Sequence, residues 1–232
     1  MTYLGHASFK VVTPGGKTVL IDPWLEGNPS CPPEQKRQDK ADVILITHGH
    51  FDHFSPDLPG LARSTGATVV AMPELCWALE KHGITALEGM NKGGTIAVQG
   101  LKITMTNAFH SSGTRGEDGS IGYGGEAAGV ILETEDGYRI YHAGDTCVFG
   151  DMKLIGDLYN PQVAMLPIGD RFTMGPFEAA HAIRLLGVKR VIPIHYATFP
   201  LLTGTPEALR EAAKDVMGLE VWAMKPGETI GG

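Results

Sequence analysis

The sequence contains little cysteine: three residues out of 232, at positions 31, 76 and 147. An odd number of widely spaced cysteines offers no disulfide framework for a small secreted fold. It is typical of a protein from a reducing compartment. We therefore expect Cys147, like most free cysteines, to be a small packing residue rather than a reactive thiol.

Long apolar runs are also missing, since no stretch approaches the roughly 20 residues needed to cross a bilayer. The first residues, 1–6, have neither the basic start nor the apolar core of a signal peptide. Lysine and arginine number 19 against 26 aspartates and glutamates, giving a net charge of −7. A broad nucleic-acid footprint is therefore not expected. These absences predict a soluble, cytoplasmic protein with no membrane partner.

Histidine, by contrast, is concentrated in one short segment. Residues 48–53 read His-Gly-His-Phe-Asp-His and directly follow the apolar run 43–46. A run of this length favours a buried strand over a helix. Imidazole and carboxylate are ligands of zinc, manganese and iron. The segment therefore predicts a metal site on the loop that leaves the carboxyl end of a strand.

Three further ligand-type residues stand just past other apolar runs. His110 follows residues 101–106, Asp145 follows 139–142, and His195 follows 191–194. Each residue alone would be more typical of a structural role. If these strands lie side by side, however, their carboxyl ends meet at one edge of the sheets and the side chains converge. The repeated placement favours a single shared site.

The remaining patterns predict two similar halves, each with hairpins first and helices after. The predicted elements are hairpins at 8–22, 95–106 and 128–142, helices at 56–65, 73–82, 177–186 and 206–216, and further strands at 68–71, 163–166, 191–194 and 220–224. We expect one domain over residues 1–232, with the halves divided near 111–126, a glycine-rich loop that we interpret as flanking the site. This order favours an α/β fold in which two mixed sheets face each other with helices on both outer faces, an αββα sandwich.

The order of these motifs resembles that of the metallo-β-lactamase superfamily. The resemblance rests on residues 47–53, His110, residues 144–146 and His195. More narrowly, residues 4–9, 21–24, 141–146, 172–176 and 192–196 resemble the branch of metal-dependent hydrolases related to the L-ascorbate-6-phosphate lactonase UlaG. The match spans nearly the whole chain and implies the metallo-β-lactamase fold with two divalent metal ions.

The resemblance also implies roles for individual residues. It gives two sets of ligands and one shared carboxylate: His48, His50 and His110 for the first ion, Asp52, His53 and His195 for the second, and Asp145 as the bridge. The ions would be zinc or manganese, with iron or nickel also compatible. A metal-bound hydroxide would hydrolyse a small ester, lactone or phosphate-ester substrate. Asp52 would also be the catalytic residue that exchanges a proton.

Other residues are candidates for contacting substrate or orienting a ligand: His6, Asp22, Ser111 and Tyr196. Asp22 either orients a ligand histidine or is a turn aspartate. We interpret His142 as buried and structural, and His181 as a surface or packing residue of a helix. Phe51 and Phe54 flank Asp52 and His53 where smaller or polar residues are typical of the branch. They would make one pocket wall more apolar.

Several alternatives stay open beside a hydrolase with a small-molecule substrate. A phosphodiesterase or nuclease of the same fold would carry a basic substrate-binding insertion, and a flavin-linked di-iron protein would replace His50 by glutamate. A true lactamase would be secreted. A non-catalytic metal- or ligand-binding protein would be expected to lack a ligand, whereas all seven are present. The resemblance also suggests a homo-oligomer.

Overall fold

Two large mixed β-sheets form the centre of the computed structural model, which describes residues 1–116 and 118–231. The strands are β1 (Thr2–Gly5), β2 (Ser8–Val12), β3 (Thr18–Ile21), β4 (Val43–Leu45), β5 (Thr68–Ala71), β6 (Leu87–Gly89), β7 (Thr95–Val98), β8 (Leu101–Asn107), β9 (Gly113–Arg115), β10 (Ile121–Tyr123), β11 (Ala128–Glu133), β12 (Arg139–His142), β13 (Val163–Pro167), β14 (Arg190–Ile194) and β15 (Glu220–Val221). The helices are α1 (Leu58–Thr65), α2 (Pro73–Glu80), α3 (Met152–Tyr159), α4 (Pro176–Leu186) and α5 (Pro206–Ala212).

The first sheet has the order β1-β2-β3-β4-β5-β6. Its β1, β2 and β3 pair antiparallel, and β3 to β6 pair parallel. The second sheet has the order β15-β14-β13-β12-β11-β8-β7. There β12 to β15 are parallel, whereas β12, β11, β8 and β7 pair antiparallel. Residues of the predicted site directly follow or lie close after the ends of five strands: β3, β4, β8, β12 and β14.

Three apolar layers explain why the strand sequences are so continuously hydrophobic. Val43 and Leu45 pack between the two sheets, while Ile44 and Ile46 pack against the layer that holds α1 and α2. In the second sheet Met165 lies between the sheets, and Leu166 packs towards α3 and α4. Successive side chains of a strand point to opposite faces, so both faces must be covered. The αββα sandwich predicted from the sequence is therefore confirmed.

Some predicted boundaries are wrong, and α3 is an additional element. The last strand ends at Val221 rather than 224, because the amides of Ala223 and Met224 bond in tight turns to the carbonyls of Val221 and Trp222. The helix predicted to 216 ends at Ala212, since Ala213 leaves the helical conformation. The loop predicted at 111–126 contains the two-stranded β9–β10 pair. The chain passes between the large sheets at residues 90–94, and the division of halves near 111–126 stays a prediction.

No helix in the two described ranges is both long and apolar enough to cross a bilayer.

Candidate metal centre

The seven predicted ligands lie together where the carboxyl ends of the strands meet. Their donor atoms form two groups, each with all donors within 4.8 Å of one another: His48, His50, His110 and Asp145 in the first, and His6, Asp52, His53 and His195 in the second. His48, Asp145 and the whole second group are buried, while His50 and His110 are partly exposed. The structure thus brings all seven residues together and adds His6 to the second group.

Asp145 lies between the two groups. Its Oδ2 is 3.5 Å from Nε2 of His110 and 3.1 Å from Nε2 of His195. Its Oδ1 is 3.3 Å from Nε2 of His53. The same carboxylate therefore contacts both groups, as a bridging ligand would.

The electrostatics give Asp145 and His48 the protonation states that a divalent cation requires. Burial opposes ionisation of Asp145, but His195 and His53 hold its pKa well below the usual range. Burial lowers the pKa of His48 well below that of a free histidine, which keeps it neutral. Burial also disfavours charge on His53, but Asp145 and Asp22 together raise its pKa well above the usual value. The two carboxylates therefore stabilise a positive charge at this position. A metal ion bound to His53 would supply that charge in place of the proton.

Three buried polar atoms of the donor residues have no hydrogen-bond partner among the described residues: Nε2 of His53, Oδ1 of Asp145 and Nδ1 of His195. Buried polar atoms are normally paired, because an unmet hydrogen bond in the interior costs about 1–3 kcal/mol. Nε2 of His53 and Oδ1 of Asp145, which lie 3.3 Å apart, are chemically suited to coordinate a cation. The residues present therefore fit a metal.

Asp22 connects one histidine of each group. The chain leaves β3 at this residue with φ 45°. Its buried carboxylate accepts from Nδ1 of His53 at 2.7 Å, and from the backbone N–H and hydroxyl of Thr47 at 2.8 and 2.7 Å. Because the Thr47 hydroxyl donates to Asp22, it accepts from Nδ1 of His48, 3.1 Å away. Both imidazoles thus carry their proton on Nδ1 and leave Nε2 for a metal.

His6 lies on the other side of the second group. It is fully buried with φ 58°, and its Nε2 is 3.0 Å from Oδ2 of Asp52. Its Nδ1 is 3.0 Å from the hydroxyl of Thr198. Burial and the neighbouring His195 lower the pKa of His6 to about 4, so it is neutral and donates to Asp52. Burial opposes charge on Asp52, but this hydrogen bond and His53 keep its pKa below the usual range.

The other candidate residues occupy different places. The hydroxyl of Ser111 is 3.2 Å from Nε2 of His50, at the exposed side of the first group. Tyr196 packs against the core between the second sheet and its helices, away from the cavity beside the donors. Thr47 was not among the predicted residues, although its position directly before the histidine segment was a usable signal.

His142 and His181 lie outside both groups. His142 is buried, with Nε2 donating to the Ala7 carbonyl at 2.9 Å and Nδ1 accepting from the Gly144 amide at 3.1 Å. His181 is an exposed residue of α4, edge-on to Phe177. The expectation that Cys147 is a packing residue is wrong: it is exposed. The chain turns outward after Asp145, with the Cys147 amide bonded to the Phe109 carbonyl.

A cavity of about 610 Å³ opens on both groups. Part of its lining is polar and consists of donor residues with Ser111. The rest is apolar and consists of Phe51, Phe172, Phe199, Pro200 and Leu201. A substrate entering the cavity would meet Asp52, Asp145, His50, His110 and His195 directly.

Comparison with known proteins identifies the class. Residues 17–196 match the family model described as a beta-lactamase superfamily domain. The fold is also that of Igni18, a metallo hydrolase from the archaeon Ignicoccus hospitalis, with a TM-score of 0.85 and 36% identity over 99% of this chain and 96% of that one. The fold and the donor groups thus define a metal-dependent hydrolase of the metallo-β-lactamase superfamily.

Two relatives narrow the family. The chain is 56% identical over 232 residues to a UPF0173 metal-dependent hydrolase of Rubrobacter xylanophilus, covering 100% of this chain and 96% of the relative. It is 50% identical over 235 residues to a UPF0173 metal-dependent hydrolase of Chloroflexus aurantiacus, covering 99% and 96%. The protein belongs to the UPF0173 metal-dependent hydrolase family.

Proposed function

We propose that the protein is a binuclear metal-dependent hydrolase of small ester, lactone or phosphate-ester substrates. The observation that carries this proposal is the pair of donor groups that share Asp145 and open onto one cavity. His48, His50 and His110 would hold one ion, and Asp52, His53 and His195 the other, with Asp145 between them. Zinc or manganese suits this mixture of imidazole and carboxylate donors.

When bound, the ions would supply a lowered pKa for an attacking water and positive charge for the scissile group. The chain's own residues position the reaction. Asp22 and Thr47 fix the histidine tautomers, and His6 holds Oδ2 of Asp52 by its N–H. Asp52, which lines the cavity as an anion, would accept the proton of the attacking water and return it to the leaving oxygen.

The experiment measures metal content and hydrolysis of the same samples. Purified protein is loaded with manganese or zinc and assayed against a simple ester, a lactone and a phosphodiester. We expect two ions per chain and turnover of at least one substrate. Asp145→Asn should lose bound metal and at least 100-fold in rate, because it removes the charge shared by both groups.

Asp136→Asn is the matched control, since Asp136 is exposed in the β11–β12 turn and should behave as wild type. Hydrolysis by Asp145→Asn at the wild-type rate would contradict the proposal. Turnover of the phosphodiester alone would favour the phosphodiesterase alternative. Two bound ions without turnover of any substrate would favour the non-catalytic alternative.

A further inference from the structure

The cavity beside the donor groups has an apolar wall that the metal chemistry itself does not require. Phe51, Phe172 and Leu201 line it and keep 52%, 50% and 50% of their surfaces exposed. Phe199 and Pro200 complete the same side. Apolar surface gathered in a concave site is typical of a place where an apolar group of a ligand binds.

The wall is held in position by the surrounding structure. The buried Trp24 packs edge-on against Phe51, with ring centroids 5.6 Å apart, and its ring is tilted by 33° against that of Phe199, with centroids 5.9 Å apart. Phe172 is carried by a turn in which Asp170 and Arg171 have φ values of 65° and 52°. A wall fixed before binding does not have to be ordered by the ligand, so apolar contact with it contributes more fully to affinity.

Among the described residues, the cavity lining offers no lysine or arginine to an anionic substituent. Its charged residues, Asp52 and Asp145, belong to the donor groups, whose proposed ions would face the reacting carbonyl. Arg171 is nearby, but its guanidinium lies over the Phe172 ring, 5.7 Å from the centroid, and the residue is exposed. A phosphate or carboxylate on the non-reacting part of the substrate would be desolvated against the wall without forming an ion pair there.

We infer that the site takes uncharged esters or lactones bearing an apolar acyl or aryl group, and discriminates against substrates whose non-reacting part carries a phosphate or carboxylate. This inference rests on the proposed function and narrows it. The metal-binding side would handle the reacting carbonyl, and the aromatic side would hold the rest of the molecule. Phe51, Phe172, Phe199 and Leu201 are then the residues that determine specificity.

A pair of esters of equal chain length tests the inference. p-Nitrophenyl hexanoate ends in a methyl group, and mono-p-nitrophenyl adipate carries a carboxylate at the end of its six-carbon acyl chain. For the metal-loaded protein we expect kcat/KM to be roughly 100-fold higher for the hexanoate, because the carboxylate has no partner on the wall. The corresponding anilides, which are hydrolysed far more slowly, give dissociation constants by isothermal titration calorimetry.

Two variants of Leu201 separate charge from shape. Leu201→Arg places a cation on the wall. It should reduce the ratio of kcat/KM for hexanoate to that for adipate by at least 10-fold, because kcat/KM for adipate rises. Leu201→Gln, of similar length and uncharged, should weaken hexanoate hydrolysis without improving adipate. Arg171→Gln should leave the preference unchanged, whereas a selective loss of adipate hydrolysis would show that Arg171 recognises anions.

The outcomes distinguish this inference from the proposed function. Metal-dependent hydrolysis of adipate as fast as hexanoate would overturn the inference and leave the function standing. If neither ester is hydrolysed, the function fails for esters, and the anilides still decide the specificity. Tighter binding of the uncharged anilide would support the apolar site, and equal binding of the two would overturn it.

Discussion

Replacing Asp22 by asparagine should weaken metal binding although Asp22 belongs to neither donor group. Asparagine keeps the size of the side chain and tolerates the left-handed backbone at φ 45°. If its oxygen keeps the bond to the Thr47 amide, its NH₂ group takes the place of Oδ2, where Nδ1 of His53 and the Thr47 hydroxyl both donate. His53 must then accept at Nδ1 and carry its proton on Nε2, the atom that would bind the cation.

The size of the effect follows from this change of tautomer. Loss of a partner that orients a metal-bound histidine typically costs 10–100-fold in metal affinity, which is about 1.4 to 2.8 kcal/mol. Asp22→Asn should therefore weaken the ion held with His53 by that amount. It should also weaken the other ion, because the Thr47 hydroxyl that accepts from His48 loses its own acceptor. Thr47→Val removes the hydroxyl that accepts from His48 and donates to Asp22 but leaves the Asp22–His53 bond in place, so it should weaken mainly the ion held with His48.

Titration of chelator-treated protein against a competing chromophoric chelator would resolve the binding steps of the two proposed ions. Asp22→Asn is expected to weaken both steps and Thr47→Val mainly the step that involves His48, which provides an internal check. Asp136→Asn again serves as the exposed control. If Asp22→Asn kept both dissociation constants within threefold of wild type, the assignment of Asp22 as the residue that fixes the tautomers would be refuted.

Three further perturbations test other parts of the structure. Burial lowers the pKa of His142 in the folded protein. As the pH falls below about 6.5, the unfolded chain therefore binds a proton at His142 before the folded protein does. The free energy of unfolding should fall as the pH falls. In urea unfolding of chelator-treated protein between pH 5 and 7, His142→Gln should show a shallower dependence on pH, and an unchanged slope would contradict the argument. Gly169→Ala would place a Cβ 2.0 Å from the His195 carbonyl, so we expect lost stability and metal content by denaturation and elemental analysis, whereas Gly150→Ala, with open space around its Cβ, should resemble wild type. Chelation should lower the unfolding temperature in calorimetry, because an ion at 100 times its dissociation constant stabilises the folded state by about 2.7 kcal/mol; an unchanged temperature would mean that the folded state binds no ion.

Much of the fold is readable from the sequence because each strand's pattern reflects the layers on its two sides. The run 43–46 predicts a strand since Leu45 faces the other sheet and Ile44 faces the helices, so both alternating positions are apolar. Helix α3 is not predicted, although Met152, Ile155 and Gly156 have the spacing of one buried helical face. It lacks a side-chain cap and contains Gly156, which is needed because a Cβ there would lie 2.3 Å from the Leu186 carbonyl. That requirement comes from the packing of α3 against α4, which a local pattern does not contain.

Only part of the candidate site, likewise, can be predicted from the sequence. The donors of residues 48–53 are predictable because ligand-type residues are dense in sequence. The sequence leaves Asp22 open between orienting a ligand histidine and forming a turn, because its contacts with His53, and with His48 through the Thr47 hydroxyl, form only in the folded chain. Tyr196 shows that a place next to a donor in the sequence does not guarantee a place in the site. It directly follows a donor, yet the φ of 54° at His195 belongs to a turn that leaves Tyr196 packed against the core.

The residues of the donor groups come from both sheets, which bears on the order of folding and metal binding. His48 and His53 follow a strand of the first sheet, whereas Asp145 and His195 follow strands of the second. During synthesis the first histidines would emerge long before the carboxylate that completes their group. Metal uptake should therefore follow the docking of the two sheets rather than guide it. Kinetically, added metal should slow unfolding and leave the refolding rate nearly unchanged.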